Sequence, residues 1–131
     1  MSSPETQRAF ALGFALLASA CPSESSEKSE AATVSRSVTA VREADNEKKP
    51  ALLKMLRDTA CSSEDICAVR SACLAAYGLH VETLERASEA VRSDAGDAAS
   101  LDALKNDLAR ARDLASKCTD LQGELIRRYK L

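Results

Sequence analysis

Five cysteines, Cys21, Cys61, Cys67, Cys73 and Cys118, are the residues of this 131-residue chain whose type and spacing best support chemistry. Zinc sites draw on close pairs such as C-x2-C or H-x3-H. Here five residues separate Cys61 from Cys67, five separate Cys67 from Cys73, and Cys118 follows a long gap. On a helix, residues six apart point about 120° away from each other, so Cys67 and Cys73 do not converge on one ion. Thioredoxin-like exchange needs C-x-x-C, which the chain lacks. No metal and no cofactor is expected, and disulfide pairing is the chemistry left.

Pairing depends on the elements that carry the thiols. Val34, Val38 and Val41 recur at helical spacing, predicting an amphipathic helix from Glu30 to near Glu47. Pro50 interrupts it and suits the first turn of a second helix, Pro50 to Thr59, whose apolar residues are Leu52, Leu53, Met55 and Leu56. The hydroxyls of Ser62 and Ser63, followed by Glu64 and Asp65, mark a helix start. The third helix is predicted over about 63–93, with the stripe Ile66, Val69, Cys73, Tyr77, Val81, Leu84, Ala87 and Val91. A turn at Asp94-Ala95-Gly96-Asp97 follows, with Gly96 suited to a left-handed C-cap. The fourth helix, about 97–129, carries a heptad-like stripe from Leu101 through Leu108, Ala115 and Cys118 to Tyr129, broken only by Gln122.

An antiparallel hairpin pairs residues whose numbers have a constant sum. With the turn centred near 95 and 96 the sum is close to 191, which sets Ile66 against Leu125, Tyr77 against Leu114 and Ala87 against Leu104. Cys73 and Cys118 meet this sum without adjustment, so Cys73–Cys118 is the expected bridge. Cys61–Cys67 is the expected second bridge, pinning the incoming helix where the chain doubles back. The fold class is therefore all-α: an antiparallel hairpin with one or two N-terminal helices packed on it, a three- to four-helix bundle with two disulfides. Whether the first helix packs on its own hairpin or on a neighbour is left open.

The N-terminus points to export. Ala9 to Leu17 is an apolar run too short to span a bilayer but of signal-peptide length. Ala18-Ser19-Ala20 supplies small side chains before Cys21. The segment Leu17-Ala18-Ser19-Ala20-Cys21 resembles the lipobox of bacterial lipoproteins, although Ala18 occupies the place where that family prefers Leu. The resemblance implies cleavage after Ala20 and acylation of Cys21. Ala18-Ser19-Ala20 also reads as an ordinary A-x-A site, which would give simple secretion. Assigning Cys21 to lipid leaves an even set of four thiols. Pro22 to Glu30 is Ser/Glu-rich and reads as a flexible tether. The expected organisation is residues 1–20 as signal peptide, 21–30 as lipid-anchored tether and 31–131 as the stapled helical domain.

Other chemistry is sparse. His80, the only histidine, falls beside the stripe of the third helix and opposite Ala111, and reads as a boundary residue. Glu82/Arg86, Asp113/Lys117 and Glu124/Arg128 have the spacing of surface ion pairs. No catalytic residue is assigned and the chain is not expected to be an enzyme. The net charge of −2 with mixed signs offers no basic field for nucleic acid. After the signal region only Tyr77 and Tyr129 are aromatic, too few for stacking platforms. The basic C-terminus, Arg127-Arg128-Tyr129-Lys130-Leu131, together with the anchor, looks like the murein lipoproteins, in which a terminal lysine joins peptidoglycan. Here Lys130 is penultimate and the hairpin departs from that family's single helix.

The expected function is that of a non-enzymatic envelope lipoprotein, a helical protein-binding or structural module. Its partners would be the membrane, through Cys21, and another envelope protein. The expected location is the bacterial envelope, at the outer membrane facing the periplasm or cell surface, or otherwise periplasmic or secreted. Alternatives are a helical stress or metal sensor, a secreted non-lipidated protein, and binding of a small apolar ligand between helices if a buried cavity lies near Tyr77.

Overall fold

The computed structural model describes residues 23–94 and 96–131. The signal-peptide reading of 1–20 and the lipidation site Cys21 lie outside the described residues. Four helices follow in order: α1 Glu24–Glu43, α2 Lys49–Asp58, α3 Glu64–Arg92 and α4 Ala98–Tyr129. No strand occurs among the described residues.

α3 and α4 form the antiparallel hairpin that the cysteine register predicts. Cys73 and Cys118 are bonded, with alpha carbons 4.8 Å apart. Cys61 and Cys67 form the second bridge, with alpha carbons 5.2 Å apart. α4 is capped by the Asp97 carboxylate, which accepts from the Ser100 amide at 2.7 Å. The turn differs in one detail. Asp94, not Gly96, takes the left-handed conformation, with φ 55°. An aspartate tolerates this region better than most side chains, and the left-handed residue follows directly on Ser93, the C-cap of α3.

α1 packs on the hairpin of its own chain. Ala31, Val34, Val38 and Val41 are fully buried in one core with Ile66, Val69, Cys73, Cys118 and Leu125. α2 adds Leu53 and Leu56 to that core, while Met55 faces outward. Two boundaries move. α1 stops at Glu43, not Glu47, and α2 begins at Lys49 with Pro50 inside its first turn.

The larger correction concerns the tether. Glu24 to Glu30 are not a linker but the opening turns of α1. Two of their side chains, Glu27 and Glu30, are held by tertiary contacts. The Glu30 carboxylate accepts from the Ser62 amide at 2.9 Å and the Ser62 hydroxyl at 2.6 Å. The Tyr129 hydroxyl lies 3.3 Å from the Glu27 carboxylate. Acidic residues also favour the start of a helix, where amide dipoles are unpaired.

Candidate functional site

Three features of the fold could serve function: a buried polar clamp, a cleft with a cationic rim, and the uncovered tip of the hairpin.

The clamp is built on Gln122, the residue that interrupts the apolar stripe of α4. Its side-chain amide is buried and donates to the Ser35 carbonyl at 3.0 Å, the Ser35 hydroxyl at 3.1 Å and the Thr39 hydroxyl at 3.2 Å. Its oxygen accepts from Arg42 at 2.5 Å, and Arg42 Nε donates to the Tyr77 hydroxyl at 3.0 Å. A buried amide without partners is costly, so this network selects one register of α1 on the hairpin. Gln122 therefore adds a polar choice of register to the apolar packing of Ala31, Val34, Val38 and Val41.

At the base of the bundle, Asp65 ties the start of α3 to the end of α4. Arg128 lies 3.2 Å from Asp65 Oδ2. Burial opposes the charge on Asp65, but bonds from the Ser63 hydroxyl, the Ile66 amide and the Tyr129 hydroxyl, with the Arg128 charge, hold its carboxyl below the ordinary range. Arg128 thus serves Asp65 and makes no ion pair with Glu124. Asp113 and Lys117 are likewise not paired among the described residues, whereas Arg86 lies 4.0 Å from Glu82 and 2.6 Å from Asp107 across the hairpin. Ser63, at the N-cap of α3, turns its hydroxyl to Asp65 at 2.6 Å and caps no amide.

A cleft of about 480 Å³ opens between the helices beside Tyr77. Each helix sends one nitrogen base into its lining: Arg42 from α1, Lys49 from α2, His80 from α3 and Arg112 from α4. Ala76, Ala111 and Ala115 form the apolar floor, and Leu84 and Leu108 extend it toward the tip. No carboxylate lines it. Lys49 is only 8% exposed and donates to the Ala44 carbonyl at the end of α1, where a cation suits the helix dipole. The pairing of His80 with Ala111 expected from the hairpin register places both on this cleft. Arg42, Lys49 and Arg112 were not legible as a group, because they are remote in sequence and meet only through the bundle.

The tip is the third feature. The last buried residue of α3 is Thr83 and the first of α4 is Ala111, so the described residues between them contribute nothing to the core. Ala87, Ala90, Val91, Leu101 and Leu104 nonetheless form an apolar surface there. Val91 is 81% exposed and Leu101 50%. Their stripes continue the heptad pattern past the point where α1 and α2 stop, so Val91, expected in the core stripe, faces solvent.

Among the described residues no three His, Cys, Asp or Glu side chains are grouped to hold a metal ion. No helix among them is long and apolar enough to cross a membrane. Comparison with family models, curated proteins and solved structures finds no match for this chain.

Proposed function

We propose that the chain is an exported, lipid-anchored protein of the bacterial envelope, whose helical body presents the tip of its hairpin to another envelope protein. The observation that carries this reading is the exposed apolar tip around Val91 and Leu101. Clustered large apolar side chains at the end of a rigid element are the usual mark of a docking surface.

Two further points support it. The body's four cysteines are bonded to one another, and such bridges persist outside the cytosol. Cys21 is the fifth cysteine, takes no part in either bridge, and sits at the lipobox-like cleavage point. Only Pro22 and Ser23 separate it from α1. α1 runs parallel to α3, since Glu30 contacts Ser62 and Arg42 contacts Tyr77. An anchor at Cys21 therefore holds the base of the bundle at the membrane. The 29 residues of α3 then carry the tip about 40 Å away from that base. No chemistry is required of the protein in this role, and it acts as a rigid spacer with an adhesive end.

The test is photo-crosslinking in cells of the producing organism, with the probe at Val91 or Leu101 and, as control, at the exposed Met55 on α2. A discrete adduct from the tip positions and none from Met55 is expected. Equal labelling from all three, or none from the tip, would overturn the docking role. An intact mass of the purified protein tests the anchor: cleavage before an acylated Cys21 is expected, and an unacylated Cys21 would leave a secreted protein instead.

A further inference from the structure

We infer that the cleft beside Tyr77 is a binding site for one small anionic amphiphile, a carboxylate or phosphate head on a short apolar tail. This goes beyond the docking role and rests on a different set of residues.

The charge balance comes first. Arg42, Lys49 and Arg112 bring three permanent cations to the lining of one cleft, which His80 also joins. No carboxylate lines the cleft beside them. None of the four is in an ion pair among the described residues. The partners of Arg42 are neutral, the Tyr77 hydroxyl and the Gln122 amide oxygen. The partner of Lys49 is the Ala44 carbonyl. Arg42 and Lys49 are thus held by neutral groups, and Arg112 stands exposed at the rim. Gathering like charges around a partly closed cleft costs electrostatic energy that an anion would relieve.

Shape decides the rest of the ligand. In the hairpin register Arg112 lies level with His80 and Tyr77, at the middle of the cleft. The apolar floor continues on either side, through Ala76 and Ala115 toward the base and through Leu84 and Leu108 toward the tip. Alanines at the bundle's centre leave space that larger side chains would fill. The volume, about 480 Å³, is that of a small-molecule site, and an apolar wall with a few convergent polar groups is its usual composition. A bare inorganic anion would leave the floor wet, and a neutral lipid would leave the cations unanswered. An anionic head with an apolar tail satisfies both. The head sits among Arg42, Lys49 and Arg112, and the tail lies along the floor.

The test is titration calorimetry of the purified, oxidised protein with decanoate and with decyl phosphate, both below their micelle concentrations. One-to-one binding is expected, with Kd on the order of 10 to 100 μM. Decanol, decyltrimethylammonium and inorganic phosphate should each bind at least about tenfold more weakly. Arg112→Glu and Ala115→Phe should each weaken decanoate binding by about tenfold or more, the first by removing the charge and the second by filling the floor. Arg127→Glu, outside the cleft, should leave it unchanged. Circular dichroism of each variant separates loss of the site from loss of the fold. Decanol binding as well as decanoate, inorganic phosphate binding as well as decyl phosphate, or insensitivity to both cleft variants would overturn the assignment. So would binding to phosphatidylglycerol vesicles without any binding of monomeric decanoate, which would make the rim a membrane-contact surface.

Discussion

The two disulfides differ in the length of chain they close, and that difference sets their contributions to stability. Cys73–Cys118 spans 45 residues and Cys61–Cys67 spans 6. Loop-closure entropy then assigns about 4 kcal/mol to the long bridge and about 2 kcal/mol to the short one. A domain of this size is stable by about 5 to 15 kcal/mol, so loss of the long bridge removes a large share. Deleting cysteines would confound this with cavities, because Cys73 and Cys118 are fully buried. The cleaner design keeps each pair and breaks only its bond. In a C61A/C67A background, urea unfolding of the oxidised and dithiothreitol-reduced forms isolates the long bridge. In a C73A/C118A background the same comparison isolates the short one. The long bridge should shift stability by about 2 kcal/mol more than the short one. An equal shift, or a larger one from the short bridge, would refute the loop-closure account and imply that the hairpin remains closed in the unfolded chain.

Three further outcomes are expected. Gln122→Leu leaves the Ser35 and Thr39 hydroxyls and Arg42 without their amide partner and should destabilise the protein by about 1 to 3 kcal/mol in urea melts. Glu30→Ala should cost about 1 kcal/mol through loss of its two bonds to Ser62, whereas a tether residue would show no effect. The folded pKa of Asp65 lies below its ordinary value of 3.8. Its contribution is therefore present above that value and lost as pH falls through the folded pKa. Asp65→Asn should flatten the acid limb of the stability–pH curve and leave the slope near neutral pH unchanged, while its basic limb also shifts because Asp65 helps hold the Tyr129 hydroxyl above its ordinary pKa.

The hairpin was legible because its signals are local and redundant. The stripes of α3 and α4, the turn near residues 95 and 96, and the matched positions of Cys73 and Cys118 agree on one register. The opening turns of α1 were not legible for the opposite reason. Ser23 to Glu30 contains no large apolar residue, so periodicity has nothing to report, and the helix there rests on Glu27 and Glu30 finding Tyr129 and Ser62. Gln122 showed only as a fault in the stripe. Its meaning depends on Ser35, Thr39 and Arg42, more than 75 residues away in sequence.

Apolar periodicity, turn signals and cysteine positions were enough to determine the class of object, an all-α hairpin with two specific disulfides. Those features depend on short-range periodicity and on a register that simple addition can test. Tertiary structure decided where α1 docks, how far the hairpin extends beyond its support, and that one cation or histidine from each of four helices borders the same cleft. Such properties arise from packing between segments remote along the chain. Arg42 and Arg112 reach the same cleft through the packing of α1 on the hairpin and the Gln122 contacts, and no local pattern in either helix encodes it.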